Sequence, residues 1–165
     1  TMSFISDEFA SANNNAGSYF RPAKDKTSKV RILSEKGLEG YVLWTEDNKP
    51  VRWHWKDSKP EANYREGDKP RKFLAVAVWN YDDQCVQVWE ITQKSVFDAL
   101  HEITKEPDFG HPNTFDIRIT RKGEGLETKY TVIPVPGPIL PDVEKAMATL
   151  SVNLDALLNG EDPFA

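Results

Sequence analysis

The chain has 165 residues, 39% of them hydrophobic and 28% charged, with one cysteine and a formal net charge of -5. That length suits one domain with short extensions, and no run of eighteen apolar residues is present to cross a membrane as a helix. Cys85 has no second cysteine to bond with, and His54, His101 and His111 show no paired-ligand spacing with it, so neither a metal nor another cofactor is expected.

The N-terminus carries no basic segment leading into an apolar stretch, so a secretory signal is not expected. A lone cysteine fits a reducing compartment, and a cytoplasmic location is expected. The net negative charge argues at first against a nucleic-acid partner, but its distribution changes that. Residues 21–131 hold 20 Lys and Arg against 19 Asp and Glu, whereas residues 132–165 hold five acids and one base. Two stretches are locally basic: residues 21–31 have five bases to one acid, and residues 49–72 have eight to four. This pattern fits a basic surface followed by an acidic tail.

In chain order, residues 1–28 read as a flexible N-terminal arm, because Asn13, Asn14, Asn15, Ala16, Gly17 and Ser18 show no apolar periodicity. Strand signals begin at Lys29 with Val30, Ile32 and Leu33, pause at Ser34-Glu35-Lys36-Gly37, and resume through Trp44. A further strand covers residues 51–55, with Val51, Trp53 and Trp55 on one face and Arg52, His54 and Lys56 on the other. Residues 57–69 are mostly charged, with Pro60, Asn63 and Gly67, and read as an exposed loop. Residues 73–79, Phe-Leu-Ala-Val-Ala-Val-Trp, suit a central strand buried on both faces. A turn at residues 81–84 leads to a returning strand with Val86, Val88 and Ile91.

Thr92 is the expected N-cap of a helix carrying Val96, Leu100 and Ile103, which Pro107 ends. Phe115, Ile117 and Ile119 alternate with polar residues, as do Thr128, Tyr130 and Val132, and Gly123-Glu124-Gly125 joins the two runs as a hairpin. Prolines at 134, 136, 138 and 141 close the sheet. Residues 138–158 read as a C-terminal helical segment, with Val143, Met147 and Leu150 on a stripe, and residues 159–165 as an acidic tip.

The fold class is mainly β. Strands, one helix and a final hairpin are the elements of a small Greek-key barrel of the OB type, with the helix between the third and fourth of five strands and an extra hairpin strand. Several α+β folds share that order. The barrel domain is expected over residues 29–137.

Aromatic rings interleaved with bases carry the chemical signal. Rings stack on unpaired bases for roughly 1–3 kcal/mol per base, and Lys or Arg neutralises the phosphates between them. Trp79 and Trp89, inside apolar runs, read as core. Trp44, Trp53, Trp55 and Tyr64, beside polar loops, are the stacking candidates, and Tyr81 is added to them. Lys29, Arg31, Arg52, Lys56, Arg71, Lys72, Arg118, Arg121, Lys122 and Lys129 are the phosphate candidates, although a strand's polar face also holds lysines that merely meet solvent. No catalytic residues are expected: Asp82-Asp83 sits in a turn that wants Asp for backbone reasons, and no phosphate-binding glycine loop or nucleophile–base pair is present.

The stretches Lys29-Val30-Arg31-Ile32-Leu33, Val51-Arg52-Trp53, residues 72–80, residues 86–93, residues 115–123 and residues 129–134 together resemble the bacteriophage single-stranded DNA-binding proteins of OB fold. The tip Glu161-Asp162-Pro163-Phe164 resembles the acidic Pro-Phe ending of bacterial single-strand binding proteins, with Ala165 added after the Phe. The resemblance implies a protein that coats and protects single-stranded DNA in phage replication, recombination and repair. It would act in the host cytoplasm, with residues 161–164 recruiting replication proteins. The T-even helix-destabilising protein carries a zinc site whose ligands are missing here. Tethered opposite charges also suggest that the tip lies in the basic groove until DNA displaces it. An RNA chaperone of cold-shock type and a protein-interaction module remain the rival classes, and self-association stays open.

Overall fold

The structure, a computed structural model, describes Phe4 and residues 18–164. Most of the expected arm, and Ala165, lie outside the described residues. Seven strands form one antiparallel sheet: β1 (Lys26–Ile32), β2 (Leu38–Trp44), β3 (Pro50–His54), β4 (Arg71–Asn80), β5 (Cys85–Ile91), β6 (Asp116–Lys122) and β7 (Lys129–Val135). Helix α1 (Lys94–Lys105) lies between β5 and β6, and helix α2 (Pro141–Ala148) follows β7. A 3-10 turn at Leu154–Asn159 leads to the C-terminal tip.

The sheet order is β3-β2-β4-β1-β6-β7, with β5 on the other edge of β4. One edge of β4 serves two partners: residues 71–75 pair with residues 38–42 of β2, and residues 78–80 pair with residues 30–32 of β1. The sheet is not closed; among the described residues no ladder joins β5 to β7. The expected mainly β class is therefore present as an open seven-stranded antiparallel sheet. Val96 and Leu100 of α1 pack into the core beside Tyr130 and Val132 of β7, and Pro134 deprives β7 of one ladder donor.

β4 is buried on both faces, as its apolar run requires. Val76 and Val78 point into the main core with Val30, Ile32, Trp89, Ile91, Ile117 and Ile119. Phe73, Ala75 and Ala77 point the other way, and residues 141–164 cover them: Val143 lies against Leu33 and Ala77, and Leu157 against Leu38, Val42 and Phe73. The expected stripe Val143, Met147 and Leu150 is the face that docks. The C-terminal segment is therefore a layer of the fold.

Two local expectations change. Residues 18–20 belong to the body: Phe20 is buried edge-on against Trp89 at 5.4 Å, and its N–H donates to the Val88 carbonyl at 2.7 Å. Helix α1 is preceded by Gln93, not Thr92, and Gln93 makes no side-chain capping bond. Pro107 does end it, through an extended Glu106. The β6–β7 hairpin forms as expected. At its turn Gly123 has φ 90°, and a Cβ there would stand 2.5 Å from the Glu127 carbonyl oxygen.

One polar cluster sits inside the sheet. Arg31, 1% exposed, donates from Nε to Asp116 Oδ1 at 2.7 Å across the β1–β6 ladder. The Tyr81 hydroxyl donates to the same oxygen at 2.6 Å, and Arg31 Nη2 reaches the Gly137 carbonyl at 3.4 Å. Asp116→Ala leaves this guanidinium buried without its anion and is expected to cost about 3–5 kcal/mol. Leu157→Ala opens a cavity under the C-terminal layer, with an expected cost of about 2–5 kcal/mol. Urea denaturation measures both; an unchanged midpoint for Leu157→Ala would mean that the layer contributes nothing to the fold.

Candidate nucleic-acid interface

The β2–β3 hairpin turns at residues 45–49, where Asn48 adopts φ 62° and the Thr45 N–H donates to the Lys49 carbonyl at 2.9 Å. The following loop folds back onto this turn. The Arg65 N–H donates to the Trp44 carbonyl at 3.1 Å, the Glu46 N–H to the Asn63 carbonyl at 2.8 Å, and Thr45 and Tyr64 form an antiparallel bridge. These backbone bonds bring two rings to one hairpin tip.

Each of those rings has a cation beside it. Trp44 is 41% exposed, with the Arg65 guanidinium 5.8 Å from its ring centre. Arg65 is held in place by a hydrogen bond to Asn48 Oδ1. Tyr64 is half-buried; its hydroxyl donates to the Pro60 carbonyl, and the Lys59 ammonium lies 5.1 Å from its ring centre. Burial pushes the Tyr64 phenol above its ordinary range, so it stays neutral at physiological pH. Lys49 and Arg71 are exposed nearby, Arg71 opposite Val42 and so on the same sheet face as Trp44. Flat π-surfaces and positive charges thus stand together, as a stacked base and its phosphate require.

Trp55 stands apart. His54 is opposite Gly40 while Trp44 is opposite Pro50, which separates the two ends of the hairpin by roughly 13 Å at about 3.3 Å per residue. Trp55 is exposed, parallel to His54 with ring centres 6.3 Å apart, and the Lys56 ammonium is 5.3 Å from its ring centre. Lys72 is exposed opposite Tyr41, on the other face of the sheet from Arg71.

Several candidates are buried, committed to partners or placed on another surface. Trp53 is 7% exposed and packs on Tyr41 at 5.9 Å, so it has no open face for a base. Tyr81 is half-buried beneath the Lys29 ammonium at 4.3 Å and committed to Asp116. Arg31 is buried with Asp116, and Arg52 makes a two-pronged pair with Glu90 at 3.1 and 2.8 Å. Arg121 donates to the Pro22 carbonyl at 3.3 Å, and its Nε is buried without a hydrogen-bond partner. Lys29, Arg118, Lys122 and Lys129 all lie on one face of β1, β6 and β7, on a different surface from the hairpin tip. Arg65, Lys59 and Lys49 were missing from the phosphate candidates; the dense charge of residues 49–72 was their signal.

The acidic tip is folded onto its own chain. Pro163 is buried, its carbonyl accepts from the Asn153 N–H at 2.8 Å, and Phe164 packs against the Leu38, Val42 and Phe73 cluster. Glu161 and Asp162 stay exposed. Burial raises the phenol of Tyr19, with smaller effects from charged neighbours that include Arg52, Glu90 and Asp162. Among the described residues no group of three or more His, Cys, Asp or Glu is placed to hold a metal ion.

Comparison of the chain with family models, with curated proteins and with solved structures gives no match.

Trp53→Ala is expected to lower stability by about 3–5 kcal/mol, and Trp44→Ala to leave it within about 0.5 kcal/mol; thermal denaturation by circular dichroism separates them. Tyr81 is raised above its ordinary pKa of 10.0, first by burial and then by its bond to Asp116. The folded state thus holds this proton more tightly, so its stabilising contribution is complete below that ordinary value and is lost as pH rises beyond it. Tyr81→Phe should flatten the alkaline fall in stability without abolishing it, since Tyr19, Tyr64 and Cys85 are raised as well.

Proposed function

We propose that this chain is a non-enzymatic, sequence-independent single-stranded DNA-binding protein whose principal contact is the β2–β3 hairpin tip. The observation that carries the reading is the pairing of Trp44 with Arg65 and of Tyr64 with Lys59 on one exposed turn. Stacking on a π-face tolerates every base, and neighbouring cations follow the phosphates without reading sequence.

The strand connections support an OB-type reading of the fold. β1 and β2 share one edge of β4 on either side of residues 33–37, so they count as one bent strand. With β4, β5, β6 and β7 this makes five, with α1 between the third and fourth and β3 as the added hairpin strand. In this reading the protein coats single strands during phage replication, recombination and repair in the host cytoplasm. Partner proteins then compete with the chain's own Leu38–Phe73 cluster for Phe164.

Titration with oligo(dT) at low and high salt tests the proposal. Trp89 and Trp53 are buried, Trp79 is half-buried, and Trp44 and Trp55 are exposed, so quenching should come chiefly from the last two above a background from the others. Affinity should fall steeply with salt. Trp44→Ala should weaken binding by about 5–150-fold, the equivalent of roughly 1–3 kcal/mol. Absence of binding at low salt, or an unchanged affinity for Trp44→Ala, would refute the hairpin-tip site. A ribo-oligomer bound more tightly than its deoxy counterpart would move the assignment to the RNA chaperone class.

A further inference from the structure

The outer face of β1, β6 and β7 carries an arrangement that the hairpin tip does not explain. In the ladder Lys29 is opposite Arg118, and Lys122 is opposite Lys129. Directly opposed side chains in an antiparallel pair come within about 5 Å at Cβ, and like charges there are destabilising. Among the described ion pairs, one acid touches the first of these pairs, at long range, and none touches the second. Asp116, the carboxylate on this face, is committed to Arg31 and Tyr81 and stands 4.0 Å from Lys29. Glu124, in the adjoining turn, is paired with Lys24.

Hydroxyl groups fill the intervening positions. Thr27 is opposite Thr120, with their oxygens hydrogen-bonded at 2.8 Å, and Thr120 is opposite Thr131. Arg118, Lys122, Lys129 and Thr131 are exposed, while Ile117 and Ile119 fill the core behind them. Of the rings beside this face, Tyr81 has the Lys29 ammonium over it and its hydroxyl committed, and Trp79, opposite Arg31, is half-buried against the Leu33, Ala77 and Val143 cluster. The face therefore offers cations and hydroxyls, interrupted by the exposed Ile133 opposite Arg118, with no exposed ring among them for an unpaired base.

We propose that this face binds the phosphate backbone of double-stranded DNA. A duplex keeps its bases stacked inside and presents two rows of phosphates, which lysine, arginine and hydroxyl donors contact without reading sequence. Phosphates laid over Lys29–Arg118 and Lys122–Lys129 convert two repulsive pairs into attractive ones. The chain then has two nucleic-acid surfaces of different chemistry, rings with cations for single strands and cations with hydroxyls for duplex, and is suited to a single-strand/duplex junction. The inference rests on the reading of the chain as a nucleic-acid-binding protein, but not on the hairpin rings.

The test uses the full chain, a short blunt-ended DNA duplex, oligo(dT), and the double variant Arg118→Thr/Lys129→Thr. The duplex should bind at low salt. The double variant should lose about tenfold or more of that affinity, and the slope of log affinity against log salt should fall by about 2. Its oligo(dT) affinity should stay within about threefold, because Trp44 and Tyr64 are untouched. The ligand-free variant should also melt at the same or a higher temperature, since one cation of each repulsive pair is gone.

A duplex that does not bind at low salt, or that binds the variant equally well, overturns the proposal. So does a parallel loss of oligo(dT) and duplex affinity, which would mean a single shared surface. Displacement of the duplex by poly-glutamate at equal charge would also overturn it and assign the face to an acidic polypeptide. Variant-sensitive duplex binding without oligo(dT) binding upholds this proposal and removes the hairpin site; the converse result does the opposite.

Discussion

The fold depends on β4 being buried on both faces. A strand that reads Phe-Leu-Ala-Val-Ala-Val-Trp cannot sit at the surface of a sheet, and every other layer answers that requirement. The branched side chains Val76 and Val78 face the main core, where α1 supplies Val96 and Leu100. The small Ala75 and Ala77 face outward, which lets residues 141–164 approach the sheet closely. Burial of side chains such as Val143 and Leu157 contributes roughly 1.5–3 kcal/mol each, which explains why an acidic segment remains on the body.

Charge in this chain separates into a structural and a surface population. Arg31 and Arg52 each face a carboxylate at hydrogen-bonding distance, and their planar forks suit that duty better than an ammonium would. Lysines hold most outward positions, joined by Arg21 beside Tyr19, Arg65 over Trp44, and Arg71 and Arg118 on the strands. A net charge of -5 is thus compatible with cationic surfaces, because residues 21–131 are nearly balanced and the excess of acid over base lies mostly in residues 132–165.

Local pattern was enough to read the strands, the central run at β4, helix α1 and the β6–β7 hairpin, since each depends on a period of two or about 3.6 within a few residues. Pairing across distance was not legible. Lys29 and Arg31 have the same strand parity, yet Arg31 is buried and Lys29 half-exposed, because Arg31 bonds Asp116 at 2.7 Å and reaches Gly137 while Lys29 stands 4.0 Å from Asp116. Trp53 and Trp55 were grouped on one face, but Trp53 lies in the ladder beside Tyr41 and Trp55 lies just past the end of the strand. The value of Arg65 was hidden because only the return of its loop to the hairpin turn brings it to Trp44. The open seam between β5 and β7 had no local signature either.

The single cysteine has a practical consequence. Cys85 is 6% exposed at the start of β5, and burial followed by the charge of Asp83 pushes its thiol above the ordinary range. Little thiolate forms at neutral pH, and what forms is out of reach of a reagent. The native chain is therefore nearly silent toward maleimides. A cysteine introduced at an exposed position such as Asp47 would be labelled selectively without prior removal of Cys85, which allows a fluorophore to be placed beside the hairpin tip with its rings and cations intact.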